Sequence, residues 1–326
     1  MFNGKSVLIT GGTGSFGNKL VETILTRYRP NRLVIFSRDE LKQHDMQQKF
    51  SPEKFPCLRY FLGDVRDPDR LRRAFSKIDI VFHAAALKQV PACEYNPYET
   101  VKTNILGAQN VVEAAIDKNV SKVIVLSTDK AANPVNLYGA TKLCSDKLFI
   151  NGNSYAGTDG TRFAVVRYGN VLGSRGSVVP LFLQAKETGK VRITNPDMTR
   201  FWITIEAAID FVINSLEVMQ GGEIFIPKLP SMRMKEMAEA LCPDCEMEIT
   251  GIRPGEKMHE VMVPLNEAHN TFEYDKYYVI QPAYRFFERS KVTCSGTKVP
   301  ADFEYSSDTN TEWLSKEDLL KLVFNK

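Results

Sequence analysis

Two short stretches hold side chains whose types and spacing suit acid–base chemistry. Tyr138 and Lys142 close the string Tyr138-Gly-Ala-Thr-Lys142. On a helix, residues i and i+4 share one face. A phenol titrates near ~10 unperturbed, too high for a base at neutral pH, and an adjacent ammonium lowers that value. Just upstream, Ser127-Thr128-Asp129-Lys130 follows an apolar run. Thr128 can bond a reacting oxygen beside Tyr138. The pair Asp129-Lys130 is more than a simple alcohol oxidation requires. Elimination would use it: oxidising a carbinol to a ketone acidifies the neighbouring C–H, a base removes that proton, and an acid helps a hydroxyl one carbon further on to depart. Lys130 as that base must be neutral, so the reading expects a depressed pKa from burial or nearby cations. The plainer account of Asp129-Lys130 is a surface ion pair.

Such chemistry needs a hydride acceptor, and the beginning of the chain supplies a place for one. Thr10-Gly11-Gly12-Thr13-Gly14-Ser15-Phe16-Gly17 has the GxxGxxG spacing between an apolar run and an amphipathic one. Glycines there allow a tight turn and the close approach of a pyrophosphate, and the following helix start offers unpaired N–H groups. Gly11, Thr13, Gly14, Ser15, Phe16 and Gly17 are therefore expected to hold a dinucleotide. After the second apolar run come Ser37, Arg38 and Lys42. A basic residue at this place accommodates a 2′-phosphate, whereas an acidic one holds a free ribose hydroxyl. Arg38 thus points to NADP over NAD, although Asp39 follows directly. Asp64 and Val65 are expected beside the adenine, and Ala84, Ala85 and Ala86 are small enough for the dinucleotide to cross.

These groups must be carried by elements that converge on one edge. Apolar runs at 6–10, 32–36, 58–62, 78–82, 122–126 and 163–167 read as buried strands. Amphipathic stretches at 15–26, 98–119 and 136–150 read as helices, the second as one long helix. Short Val/Ile/Leu-rich strands separated by helices imply a doubly wound parallel α/β sheet of the Rossmann type. After about residue 170 Gly and Pro become frequent, which suggests a smaller irregular α/β lobe over the carboxyl edge. The expected division is 1–169 with about 203–226 for the dinucleotide domain, and 170–202 with 227–326 for the substrate lobe.

Composition narrows the function classes. The 326 residues include 42 Lys and Arg against 39 Asp and Glu, a formal net charge of +3. Nothing there calls for nucleic acid or an anionic membrane. No run of ~18 apolar residues is present, and Met1-Phe2-Asn3-Gly4-Lys5 leads straight into a strand, so a soluble cytoplasmic protein without a signal peptide is expected. The scattered cysteines read as reduced and Cys242-Pro-Asp-Cys245 as incidental, with no metal site.

The strings around these residues closely resemble the inverting UDP-N-acetylglucosamine 4,6-dehydratases, enzymes of the extended short-chain dehydrogenase/reductase type that begin pseudaminic acid synthesis. The resemblance is carried by Thr10 to Gly17, Ser37 to Lys42, Ser127-Thr-Asp-Lys-Ala-Ala-Asn-Pro134 and Asn136 to Lys142. It continues through Arg167-Tyr-Gly-Asn-Val-Leu-Gly-Ser-Arg-Gly-Ser177, Met198 to Thr204, Ile252-Arg-Pro-Gly-Glu-Lys-Met-His-Glu260 and Asp302 to Ser307. Ser-Thr-Asp-Lys is the specific part, since related retaining enzymes carry Thr-Asp-Glu there. The resemblance implies that Lys130 takes the C5 proton of the sugar, Asp129 assists loss of the C6 hydroxyl, and Tyr138 with Lys142 handles the C4 hydroxyl beside a regenerated NADP. The product would be UDP-2-acetamido-2,6-dideoxy-β-L-arabino-hexos-4-ulose. It further implies that Lys88, Asn170, Arg175, Thr199, Arg253 and Glu256 hold the UDP-sugar, that Val171 joins the cofactor site, and that the chain forms a dimer or hexamer. Arginine suits a pyrophosphate through its planar fork.

Two other functions share parts of this pattern. A UDP-sugar 4-epimerase would keep the glycine loop, Tyr138 and Lys142 without requiring Asp129-Lys130. A non-catalytic NADP sensor would be free to lose the tyrosine–lysine pair.

Overall fold

A computed structural model describes residues 1–174, 177–284 and 295–324. The first half alternates strand and helix. β1 (Ser6–Thr10), α1 (Ser15–Arg27), β2 (Arg32–Ser37), α2 (Glu40–Lys49), β3 (Leu58–Leu62), α3 (Pro68–Ala74) and β4 (Ile80–His83) follow in order. Next come α4 (Val90–Tyr95), α5 (Pro97–Val101), a π-helical turn at Lys102–Leu106, α6 (Gly107–Asp117) and β5 (Lys122–Leu126). A 3₁₀ turn (Asp129–Ala131), α7 (Leu137–Ala156) and β6 (Arg162–Val166) complete this half. β1 is buried at every position, as a strand covered on both faces must be. Helix starts are capped as the sequence dictates: Asp39, Asp67 and Asn136 accept from Lys42, Arg70 and Gly139 backbone N–H groups.

The second half holds β7 (Asn170–Val171), α8 (Val178–Thr188), β8 (Lys190–Ile193), β9 (Thr199–Ile203), α9 (Ile205–Val218), β10 (Ile224–Pro227) and β11 (Ser231–Arg233). It continues with α10 (Met234–Leu241), β12 (Glu246–Ile249), β13 (Val261–Val263), β14 (Thr271–Glu273), β15 (Tyr277–Ile280), β16 (Thr297–Lys298), β17 (Tyr305–Ser306) and α11 (Lys316–Phe324). The main sheet runs β16-β14-β15-β10-β6-β5-β4-β1-β2-β3. From β3 to β10 every pairing is parallel, and β15, β14 and β16 continue it antiparallel. α1 and α9 pack together, while α3, α6 and α7 pack as a separate set. This is the expected doubly wound Rossmann sheet. A smaller apolar cluster lies outside the main core and joins Leu172, Phe182, Trp202, Met237, Leu241 and Leu319.

Two expectations change in detail. The stretch at 98–119 is not one helix: it is interrupted by the π-helical turn, and inside that turn Asn104 is buried. Its side chain accepts from Leu87 N at 2.8 Å and donates to Leu87 O at 2.9 Å and to Thr141 Oγ1 at 3.1 Å. The widened turn is what lets one side chain serve the loop after β4 and α7 together. Cys242 and Cys245, read from the sequence as incidental and reduced, are joined by a disulfide just past α10.

Candidate active site

The carboxyl ends of β1 through β6 open into one cavity of about 660 Å³. Its floor is the turn after β1. Gly11 has φ +67°, and a Cβ there would sit 2.8 Å from Ala85 N, so the loop can lie against the end of β4 only with glycine. Gly14 caps α1 without a side-chain bond of its own, and the first residues of that helix line the cavity, where a helix start favours an anion. Thr13, Ser15, Phe16 and Gly17 line the same wall, with Asp64, Val65, Ala84, Ala85 and Ala86 beyond them and Val171 opposite.

Ser37, Arg38 and Lys42 also line the cavity. Asp39 lines it as well, and its carboxylate accepts from Lys42 N at 3.0 Å and pairs with Lys42 Nζ at 2.9 Å. The Arg38 guanidinium is half exposed, with Asp64 3.8 Å away. Basic and acidic groups at the end of β2 thus lie together at the cavity wall, the acidic one also capping α2.

The proposed chemistry converges at the end of β5. The 3₁₀ turn at Asp129–Ala131 is capped by Thr128. The Thr128 hydroxyl donates to Asp129 Oδ1 at 2.8 Å, and Lys130 Nζ donates to that same oxygen at 3.1 Å. α7 begins so close beneath this turn that a Cβ on Gly139 would strike the Lys130 carbonyl oxygen. That close approach sets Tyr138 on the same stretch of cavity wall as Thr128. Thr128, Asp129, Lys130, Tyr138 and Lys142 all line the cavity. Asp129-Lys130 is thus not a surface ion pair: the Asp129 side chain is 1% exposed and its Oδ2 lacks a hydrogen-bond partner among the described residues.

The electrostatics differ from the sequence expectation in two respects. Burial works to depress Lys130, but the charges of Asp129 and Glu260 outweigh it and hold the ammonium above its usual range. The expected depressed Lys130 is therefore corrected. Asp129 contributes most, and Glu260, 3.3 Å from Lys130 Nζ and itself buried, adds to it. Burial pushes the Tyr138 phenol up to about 12, and the cation pulling it back is Lys130 rather than the expected Lys142. Lys142 is answered by Asp146, one helical turn further on: burial lowers the ammonium and Asp146 opposes that. Asp146 is held by the Ser127 hydroxyl at 2.6 Å. Behind this group, burial drives His83 down to about 3, so it is neutral and bonded through Nδ1 to Thr10 Oγ1 at 2.8 Å.

The residues expected to hold substrate are spread more widely. Lys88 and Asn170 line the cavity. Burial, with Lys130 adding to it, keeps the Lys88 ammonium below its usual range, and Asn170 Oδ1 is buried without a partner among the described residues. Thr199 does not line it; its hydroxyl bonds His259 Nδ1 at 2.8 Å and Ser307 Oγ at 2.7 Å. Arg253 and Glu256 also lie off the cavity wall, on a loop docked to the start of α7 through Asn136 Nδ2 and Gly255 O at 2.8 Å. Arg175 lies outside the described residues. Sequence reasoning missed Glu260, Arg200 and Lys257, which surround Lys130 from distant segments, and Asp146. Only Asp146 had a local signal, its i+4 spacing from Lys142. Among the described residues, no cluster of His, Cys, Asp and Glu is placed to hold a metal ion, and no helix is long and apolar enough to cross a membrane.

Residues 7–282 match the family described as polysaccharide biosynthesis protein. The chain belongs to this family. Within it, the chain is 52% identical to the UDP-N-acetylglucosamine 4,6-dehydratase (inverting) of Campylobacter jejuni, over 99% of this chain and 98% of that one. A Rickettsia bellii protein named UDP-glucose 4-epimerase is 41% identical over 100% and 97%. Among solved structures, Pen from Bacillus thuringiensis superposes with a TM-score of 0.91 at 38% identity, covering 100% of this chain and 98% of that one. A dTDP-glucose 4,6-dehydratase from Streptomyces venezuelae, solved with NAD bound, shares the fold with a TM-score of 0.70 at 20% identity, over 78% and 86%. The resemblance read from Ser127 to Lys130 and the other strings thus extends along the whole chain.

Proposed function

We propose that this protein is an inverting UDP-N-acetylglucosamine 4,6-dehydratase that uses NADP. The observation that carries the reading is the Asp129–Lys130 pair, buried at the cavity wall within reach of Thr128 and Tyr138. The similarity to the Campylobacter jejuni dehydratase supports it.

The cavity fits a dinucleotide. The turn at Gly11, the uncapped start of α1 and the small side chains of Ala84 to Ala86 would hold its pyrophosphate and backbone. Ser37 and Arg38 would take a 2′-phosphate, with the charge of Asp39 beside them offset by Lys42 at 2.9 Å. When bound, NADP supplies hydride removal at C4 and hydride return at C6. Tyr138 would take the C4 hydroxyl proton, with the Lys130 charge favouring the phenolate. In the resting site the proton shared by Asp129 and Lys130 sits on the amine. One transfer along the 3.1 Å bond between them yields a neutral amine and a carboxylic acid. The amine then takes the C5 proton, the acid protonates the C6 hydroxyl, and water leaves. Returning a proton to C5 from the opposite face gives the L product. Lys88 and Asn170 face the cavity as sugar-nucleotide contacts, with Arg253, Glu256 and Arg175 assigned to the same task. The lobe around Leu172 and Trp202 would carry the substrate side, in a protein that works in the cytoplasm as a homo-oligomer and feeds pseudaminic acid synthesis.

Incubation with UDP-N-acetylglucosamine in deuterated water, followed by NMR and mass spectrometry, tests this. Loss of water with deuterium at C5, a C6 methyl signal and the L configuration is the expected result. The Rickettsia relatives named as epimerases favour the second reading. A C4 epimer without a methyl signal would establish it and remove the dehydratase.

A further inference from the structure

The Asp129–Lys130 pair is not electrically complete by itself. Glu260 arrives from a segment remote in sequence, with its side chain 3% exposed. Oε1 lies 3.3 Å from Lys130 Nζ and 3.7 Å from Arg200 Nε, and Oε2 lies 3.9 Å from Lys257 Nζ. The backbone around it is clamped: Glu260 N donates to Ser307 Oγ at 2.9 Å, and Ser307 N donates to Glu260 O at 2.8 Å. Its cationic neighbours are fixed as well. Arg200 donates to Thr199 O, Met258 O and Lys257 O, and Lys257 Nζ donates to Ala132 O at 2.6 Å.

We infer that Glu260 is a positioning residue for Lys130, a second carboxylate that anchors the amine opposite Asp129 and sets the pH at which it releases its proton. The inference deepens the dehydratase reading and rests on it for its catalytic meaning. The charged and titratable groups facing Lys130 are Asp129 from its own turn, Glu260 and Lys257 from the segment before β13, Arg200 from β9, Lys88 from the loop after β4, and Tyr138 from α7. Two carboxylates therefore oppose three further cations around the amine. Without the Glu260 charge, Asp129 alone faces Arg200, Lys257 and Lys88, and the ammonium loses its main long-range support. A carboxylate within hydrogen-bond distance is worth about 1–3 pH units to a buried cation. Glu260 thereby keeps the shared proton on Lys130 until substrate arrives, and it leaves Asp129 ionised.

The test titrates Lys130 directly and needs no turnover. Wild type, Glu260→Gln and Glu260→Asp are labelled with limiting acetic anhydride across pH 7–11, and acetylation of Lys130 is followed by peptide mass spectrometry against surface lysines. Only the neutral amine reacts, and the Lys130 side chain is 27% exposed. The expected result is Lys130 acetylation faster by about tenfold or more at each pH, relative to the surface lysines, in Glu260→Gln, with Glu260→Asp returning most of the way to wild type. Superimposable curves for wild type and Glu260→Gln would overturn the inference. Circular dichroism melts confirm that the variants compared are folded. If Glu260→Gln does not fold, a small shift in Glu260→Asp decides, since the shorter side chain draws the carboxylate back from Lys130. In deuterated water, the pH profile of C5 exchange in Glu260→Gln should shift to lower pH. Wild type making no methyl product would sink the dehydratase reading while leaving the titration result standing.

Discussion

The Ser127 hydroxyl donates to Asp146 Oδ2 across 2.6 Å, joining the end of β5 to the third turn of α7. Asp146 also faces Lys142, one turn before it, so Tyr138, Lys142 and Asp146 form a ladder down one helix face. The strand end that supplies Thr128, Asp129 and Lys130 is thereby registered against the helix that supplies Tyr138.

Removing Asp146 should leave the Lys142 ammonium buried without its carboxylate. It also removes the hydrogen bond from Ser127 to a buried carboxylate, worth about 1.5–3 kcal/mol. Asp146→Ala is expected to lose stability of that order in urea unfolding, with Lys142→Met/Asp146→Ala recovering part of it. Additive losses in the double variant would show that the two side chains do not interact.

Lys130→Ala should lose elimination and slow oxidation at C4 to a smaller degree, since Lys130 also favours the Tyr138 phenolate. Positioned acid–base groups contribute about 10²–10⁴-fold, so methyl product should fall by that factor in single-turnover NMR. Cofactor reduction on adding substrate, followed at 340 nm, should persist. A variant that keeps both signals would show that another group takes the C5 proton.

Arg38→Ala should weaken NADP at least about tenfold and leave NAD nearly unchanged, because only the former carries the 2′-phosphate that Arg38 is proposed to hold. Fluorescence titration of the two cofactors measures this directly. Equal losses for both would mean that Arg38 serves the fold and not the phosphate. Asp39→Ala should instead cost about 1 kcal/mol as a lost helix cap.

His83 predicts a pH dependence of stability. Burial holds it neutral in the folded state down to about 3, whereas in the unfolded chain it titrates near ~6.5. Between those values the unfolded state binds a proton that the folded state does not. This contribution therefore falls as pH drops below ~6.5, by about 1.4 kcal/mol per pH unit. His83→Asn should flatten the slope of unfolding free energy between pH 5 and 6 by that amount. An unchanged slope would show that His83 is protonated in the folded protein.

Much of this molecule was legible in local pattern. The strands at 6–10, 32–36, 58–62 and 122–126, the glycine turn and the Tyr138–Lys142 face depend on neighbours within a few residues. Periodicity, turn sterics and helix spacing act at that range, so the residue string alone determined the Rossmann sheet and most of the cavity wall. The break at Lys102–Leu106 was not legible, because it answers to Leu87 and Thr141 across the fold. The protonation of Lys130 escaped for the same reason. Its local partner, Asp129, was visible, but the second carboxylate that adds to it, Glu260, is clamped by Ser307 near the far end of the chain. Thr199 shows the converse, a polar residue whose hydroxyl is spent on His259 and Ser307 rather than turned to the cavity. Sequence spacing determined which groups could react, and tertiary closure decided their charge, since electrostatics in a buried site follow distance in space and not distance along the chain.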